Sequence, residues 1–376
     1  MSTIKYGIIG FGAHAELCYA EMLLKNKEVE NATIVAICEP NEKRIEAVKP
    51  ALPQDISYFT DYKEMLDSEL IDAAIITSPH PFHPEMVIEC LKRNISVMCE
   101  KPAGVYAKQV KEMIEASKNS EALFGMMFNQ RTNCVYRKAK EMIENEEIGK
   151  LQRINWVITS WYRPDKYYEV SPWRATWKGE GGGLIINQAC HQIDLLQWLV
   201  GEMPESVNGF LGFGQWHHIE ADDEITAFLK YKNGATGIFI TTTGEYPGCN
   251  RLEISGTRGK LTVEGDKLLF AKLDADTEEF SRNAEGPYDR PNVEEIEVET
   301  DGENPQHKGI IQNFTNALLG KEELKIHGNE GLDAVELINS IIYSGWHNGE
   351  TIQVPVNEDD YYNELQNKIK NSTFLN

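Results

Sequence analysis

Four short stretches of this chain bring together residue types that do chemistry. The first is Gly7-Ile-Ile-Gly10-Phe11-Gly12-Ala13-His14-Ala15, with the spacing G-x-G-x-x-A. Where a strand turns into a helix, Gly10 allows the tight turn, Gly12 lets the backbone approach a pyrophosphate, and Ala15 lets helix and strand pack closely. Unpaired N–H groups and the positive dipole end at the helix start then serve phosphates. Glu39 follows at the end of the next apolar segment. A carboxylate there accepts from the adenosine ribose hydroxyls and repels a 2′-phosphate, which points to NAD and makes NADP the lesser expectation. Lys43 and Arg44 lie close enough to soften that choice.

The second stretch, Thr77-Ser78-Pro79-His80-Pro81-Phe82-His83, comes just after the buried-looking run Ile71–Thr77. Ligands in open α/β sheets sit at the carboxyl ends of strands, where hydroxyls and a proline-stiffened turn suit a ribose or nicotinamide. His83 reads either as part of that contact or as a cap on the next helix. The third, Glu100-Lys101-Pro102, follows Ile95–Cys99 and lets Lys101 reach into the same cleft. Asn129-Gln130-Arg131 ends the next strand and is expected to line it too. The cofactor set is therefore Gly10, Phe11, Gly12, Ala13, Glu39, Thr77, Ser78, Pro79, His80, His83, Glu100, Lys101 and Asn129.

The fourth stretch runs from Gly181-Gly-Gly through Asn187 and His191 to Asp194. These three polar residues fall at i, i+4 and i+7, one face of a helix, and the glycines free the backbone to approach a ligand. A buried, hydrogen-bonded histidine in a core helix is the plainer alternative. Upstream, Trp161-Tyr162-Arg163 and Trp173-Arg174-Ala-Thr-Trp177 gather aromatics with two arginines, a pattern that suits a sugar surface and equally suits interface packing.

The elements that must position these residues change character along the chain. Up to residue 130, apolar strands (Lys5–Gly10, Thr33–Glu39, Ser57–Phe59, Ile71–Thr77, Ile95–Cys99, Leu123–Phe128) alternate with helical stretches, the pattern of a doubly wound parallel sheet. After a helix over Cys134–Asn145, alternating segments such as Arg153–Trp161, Ile225–Tyr231, Thr236–Thr243, Arg251–Ser255, Lys260–Glu264 and Lys267–Lys272 predict an antiparallel sheet joined by glycine turns. Helices are expected at Ile186–Val200, His307–Leu319 and Gly331–Trp346. Residues 273–305 read mostly as loop, with a pattern only at Glu294–Val298. The expected fold is α/β, an N-terminal Rossmann domain over 1–130 followed by an α+β domain over 131–376 with one large, mostly antiparallel sheet.

Composition narrows the partners. The 376 residues include 59 acidic and 37 basic side chains, a formal charge of −22. That surface repels phosphate backbones and anionic lipids, so nucleic-acid and membrane partners are not expected. No apolar run approaches the roughly 20 residues of a membrane-spanning helix, and no leader pattern precedes the first strand. The seven cysteines form no C-x-x-C pair, which predicts reduced thiols in a cytoplasmic protein. The nine histidines are scattered along the sequence, and no metal site is expected.

Taken together, the glycine turn, the T-S-P-x-x-x-H loop, E-K-P and the G-G-G…H-x-x-D segment resemble the Gfo/Idh/MocA family of oxidoreductases, named after glucose–fructose oxidoreductase, inositol dehydrogenase and a rhizopine-catabolism protein. The resemblance covers nearly the whole chain. It implies NAD(P)-dependent oxidation or reduction of one hydroxyl or ketone of a sugar or cyclitol, and a homo-dimer or homo-tetramer built on the second sheet. By the same resemblance Lys101 orients or polarises the reacting oxygen and His191 is the general acid/base. Asn187 stands where the family often has Asp; an Asn takes no proton but can still bond a substrate hydroxyl. Arg163, Trp173, Arg174, Asn187, His191 and Lys101 form the expected substrate set. Two other activities fit the same fold: a non-catalytic NAD- or sugar-sensing regulator, and an enzyme that keeps NAD bound through a 3-keto sugar cycle.

Overall fold

Six short apolar strands alternate with helices in the first part of the computed structural model, which describes residues 3–374. The strands are β1 (Ile4–Ile9), β2 (Ala32–Cys38), β3 (Ser57–Phe59), β4 (Ala73–Ile76), β5 (Ser96–Cys99) and β6 (Phe124–Met126). They pair in parallel in the order β3-β2-β1-β4-β5-β6. β4 and β5 are buried along their whole length, as strands covered by helices on both faces must be. Sequence order reverses between β1 and β4, the switch point where ligands bind such sheets. Side-chain caps fix where helices begin. Asn41 accepts from the Lys43 and Arg44 N–H groups, and Asp61 from that of Lys63. The helix after the first strand, Ala15–Lys25, is wound as a π-helix, a form often found beside functional sites.

This sheet belongs to a unit made of Met1–Asn129, Gly179–Gly181 and Pro305–Val335. Its late segment is bound into its early one. The Tyr6 hydroxyl meets the Thr315 hydroxyl at 2.8 Å, buried, and burial pushes the Tyr6 phenol well above its ordinary range.

The second unit comprises Gln130–Lys178, Gly182–Asn304 and Glu336–Asn376. Its nine strands are β7 (Leu151–Ile158), β8 (Ser206–Phe213), β9 (Asp222–Lys230), β10 (Thr236–Thr242), β11 (Asn250–Gly256), β12 (Gly259–Glu264), β13 (Lys267–Leu273), β14 (Val293–Glu297) and β15 (Ile352–Gln353). They lie in the order β14-β13-β12-β11-β7-β10-β9-β8-β15. All neighbours are antiparallel except β7 and β10. The observed classes are thus a parallel Rossmann sheet and a mostly antiparallel one.

Several elements depart from the sequence reading. β8, β15 and the helix Glu358–Asn371 have no counterpart in it. β8 carries two glycines and breaks the strand pattern; Gly209 is there because Ile341 O would lie 2.6 Å from a Cβ. The segment read as loop contains a helix at Thr277–Asn283, capped by Asp276. The expected single helix Ile186–Val200 is two, Leu184–Asn187 and Cys190–Val200.

Candidate functional site

The glycine turn sits at the carboxyl end of β1. Gly10 has φ 88°, and a Cβ there would lie 2.8 Å from the Ser78 backbone, so the position admits glycine only. A Cβ on Gly12 would meet nothing within 4 Å. Gly12 and Ala13 are exposed, so backbone lies open where a pyrophosphate would be cradled. Glu39 lies beside it. One carboxylate oxygen accepts from the Phe11 N–H at 2.9 Å and the other from the Asn41 N–H at 3.0 Å. Arg44 is more than a nearby charge: it donates from Nε to the Phe11 carbonyl at 3.0 Å and pairs with Glu16. These residues fit a dinucleotide with free ribose hydroxyls.

The Thr77–His83 loop is more inward than expected. The Thr77 hydroxyl donates to the Gly10 carbonyl, and that of Ser78 to the Met86 sulfur at 3.2 Å. His83 is fully buried; its Nδ1 lies 2.8 Å from the Pro102 carbonyl and its Nε2 2.7 Å from that of Ser78. Neither ring nitrogen is left for a ligand, so His83 ties this loop to the E-K-P loop. His80 is also buried, and burial first, then neighbouring His83 and Lys101, holds its imidazole well below its usual range and neutral.

Glu100 departs furthest from expectation. Its side chain is buried, and one oxygen collects His14 Nε2 at 2.9 Å, the Tyr19 hydroxyl at 2.7 Å and His307 Nε2 at 3.5 Å. Its other oxygen accepts from the Lys101 N–H at 3.2 Å. Burial alone would raise this carboxyl, but the hydrogen bonds from His14 and His307 outweigh it and hold it well below the ordinary range. The expectation of dispersed histidines is corrected here: potential ligand atoms of His14, Cys18 and His307 lie within 4.8 Å of one another. Two of these three residues spend Nε2 on Glu100. Burial, with Glu100 and Glu28 adding to it, pushes the Cys18 thiol up to about 12, so it stays protonated. Asn129 donates to Gln306 at 2.5 Å and lies 3.5 Å from His307 Nδ1. Position alone could have exposed His14, two residues after Gly12; nothing in the sequence signals His307. Lys101 is half-buried at the end of β5.

In the second unit, Asn187 ends the short helix Leu184–Asn187, while His191 and Asp194 lie on Cys190–Val200. The three do not share one continuous helix face. Asp194 is buried and pairs with Arg131 through two bonds, 2.8 and 2.6 Å, which corrects Arg131 from cleft lining to core ion pair. The last glycine of the run lies against protein backbone. Gly183 packs directly against the Asp222 backbone, and the buried Asp222 carboxylate accepts from the Gly183 and Ile185 N–H groups at 2.9 and 2.8 Å. Burial raises that carboxyl to about 6 against the pull of those bonds. Asn187 and His191 are half-buried, and the Cys190 thiol donates to the Asn187 carbonyl at 3.1 Å.

Beside Asn187, Gln188 donates to the Tyr167 hydroxyl at 3.0 Å. The Tyr167 ring carries both arginines of the aromatic stretches, Arg174 at 4.1 Å and Arg163 at 5.2 Å from its centroid. Trp173 lies beside Arg174 at 5.4 Å.

Residues 4–128 match the model of an oxidoreductase family with an NAD-binding Rossmann fold, Gfo/Idh/MocA. Residues 136–262 match that family's C-terminal domain. The chain belongs to the Gfo/Idh/MocA oxidoreductases. Within this family it is 28% identical over 265 residues to a myo-inositol 2-dehydrogenase of Thermotoga maritima, covering 69% of this chain and 75% of that one. It is 25% identical to a levoglucosan dehydrogenase of Pseudarthrobacter phenanthrenivorans over 61% of this chain and 65% of that protein. The crystal structure of the WlbA dehydrogenase from Bordetella pertussis, in complex with NADH and UDP-GlcNAcA, superposes with a TM-score of 0.77 at 26% identity, over 94% of this chain and all of that one. The chain is thus an NAD-binding oxidoreductase of this family.

Proposed function

We propose that this chain moves a hydride between NAD and one secondary hydroxyl or ketone of a sugar, sugar derivative or cyclitol. The observation that carries the reading is the glycine turn: Gly12 stands open beside a Glu39 whose carboxylate is fixed by the Phe11 N–H. Relatives named for inositol and levoglucosan support the substrate class. We assign cofactor binding to residues 1–130, substrate binding to 131–376, and the preference for NAD over NADP to Glu39.

When bound, NAD supplies the hydride acceptor; the protein positions it and manages the proton. Lys101, cationic, stabilises the alkoxide that develops as the hydroxyl loses its proton. His191 takes that proton. Asn187 carries no proton and orients the substrate hydroxyl. Glu100, through its bond to the Lys101 N–H, positions the lysine.

Phe210, Phe228 and Ile238 are exposed on the second sheet, and Phe228 stands opposite Ile238 across the β9–β10 pair. An apolar row of this kind supports a homo-dimer or homo-tetramer, which light scattering at micromolar concentration checks. The cytoplasm is the compartment that suits seven free cysteines.

The test of function is NADH absorbance across sugars, inositols and glycosides, followed by Lys101→Met and His191→Ala on the best substrate. Each is expected to slow the chemical step by about 10²–10⁴-fold while NAD still binds. A His191→Ala protein that turns over at near the original rate would remove His191 from the mechanism.

A further inference from the structure

Arg163 and Arg174 are unusual cations for this chain. Acidic residues outnumber basic ones by 59 to 37, so a carboxylate partner is cheap to supply. Most buried or half-buried arginines here have one: Arg131 holds Asp194, Arg44 holds Glu16, and Arg93 holds Asp67 and Glu89. Among the described residues, neither Arg163 nor Arg174 makes an ion pair. Both lean on one ring, Tyr167, which places the two like charges within about one Debye length, roughly 10 Å at 0.1 M salt. Arg174 Nε is buried and has no hydrogen-bond partner. A buried donor left unmet is costly, and a bound acceptor would relieve that cost.

The surroundings hold this pair in place. The Arg163 N–H donates to the Thr243 carbonyl at 2.9 Å. Its own carbonyl faces His217 Nε2 at 2.8 Å, and the His217 ring lies 3.1 Å from the buried Asp223. Arg163 Nη1 bonds only a backbone carbonyl, that of Tyr162 at 2.9 Å. The Arg174 N–H donates to Ser171, and the Thr176 hydroxyl pins the Trp173 carbonyl at 2.7 Å. The shared ring is fixed by Gln188 at its hydroxyl and by Tyr168 at its edge, 5.1 Å away and at 87°. Two preorganised guanidinium forks with unspent donors match an oxyanion in shape and charge.

We propose that Arg163 and Arg174 form an anion subsite, and that the substrate is a sugar-like molecule carrying a carboxylate or phosphate group. Gln188 directly follows Asn187, so the subsite receives the charged end of a substrate whose hydroxyl end lies at Asn187. This rests on the dehydrogenase reading above and adds to it the charge of the substrate.

The experiment uses the full chain with NAD and matched probes: glucose and galactose, their uronates, and glucose 6-phosphate. At low salt, at least one anionic probe is expected to exceed its neutral parent by tenfold or more in kcat/KM, with an advantage that shrinks as salt rises. Which anion wins separates carboxylate from phosphate recognition. Arg174→Gln and, independently, Arg163→Gln are expected to cut that advantage by about tenfold. Arg174→Lys, which keeps charge without the planar fork, is expected to fall between. Unchanged melting temperatures show that the variants fold. Neutral sugars turning over as well as their acids would overturn the subsite and leave the dehydrogenase reading standing. If no probe yields NADH, calorimetric titration of the same probes decides: anions binding no tighter than glucose overturn the proposal, and tighter anion binding lost in both Gln variants upholds it.

Discussion

Glu100 in the first unit and Asp222 in the second are buried carboxylates tied to residues of the glycine segments, and the two are treated in opposite ways. Glu100 is met by side chains, with His14, Tyr19 and His307 converging on a single oxygen. Asp222 is met by the backbone N–H groups of Gly183 and Ile185. Glu100 is held well below the ordinary carboxylate range; Asp222 is raised to about 6. Burial pushes both upward. Donors that can carry charge overcome it, whereas neutral peptide dipoles only reduce it. The first carboxylate is built to stay an anion under the E-K-P loop; the second is an anchor that tolerates a proton.

The largest effect should come from breaking the first arrangement. Glu100→Gln keeps the shape but removes the charge that His14, His307 and Tyr19 address. We expect a loss of about 3 kcal/mol in chemical denaturation at neutral pH, the scale of a hydrogen bond to a buried charged group, together with weaker NAD binding. Because the folded pKa of Glu100 is depressed, its contribution is complete above the ordinary value of 4.5 and is lost as pH falls below it. A Glu100→Gln protein that matches the original in stability at every pH would end the contrast.

Asp222 has the opposite sign. Its folded pKa of about 6 exceeds its ordinary 3.8, so the native state binds the extra proton and stability declines as pH rises from about 4 to about 6. Asp222→Asn should flatten that slope while costing some stability, since one backbone N–H loses its acceptor. Denaturation midpoints at pH 4, 5, 6 and 7 measure both. A slope that persists in the variant would assign it to another group.

A third carboxylate sharpens the comparison at lower stakes. Glu39 is half-buried and splits its oxygens between the Phe11 and Asn41 N–H groups. Glu39→Ala should narrow the gap between NAD and NADP affinities by about tenfold, with a stability cost near 1 kcal/mol for the lost turn contacts. Equal titration curves for the two cofactors in the unmutated protein would remove Glu39 as the discriminator.

The contrast also shows what a sequence can reveal. Runs such as IVAIC (34–38) and AAII (73–76) are apolar throughout because helices cover both faces, so the parallel sheet was legible strand by strand. The glycine turn was legible because Gly10 answers a local demand, a backbone φ of 88° that side chains rarely adopt. Partners brought in from far along the chain were not. His307 reaches Glu100 across 207 positions, and Arg131 reaches Asp194 across 63. The spacing puts Asn187, His191 and Asp194 on one helix face, but the helix that Asp222 holds at its start through the Gly183 and Ile185 N–H groups ends at Asn187 and a second begins at Cys190. β8 was hidden by its two glycines, of which Gly209 makes room for the Ile341 backbone and Gly212 for the Gln215 side chain.

The first unit is a discontinuous one, and that sets an order of events during synthesis. Tyr6, in the first strand, waits for Thr315, 309 positions later, to satisfy its buried hydroxyl. Glu100 waits for His307. The second sheet waits too: its central strand β7 ends at Ile158, yet both neighbours lie beyond residue 235. At about 5–20 residues per second, many seconds pass between exposure of β1 to the cell and arrival of the segment that seals it. Loop closure over such separations is what slows folding. The first unit is therefore complete only once Pro305–Val335 has been made, after nearly all of the second sheet.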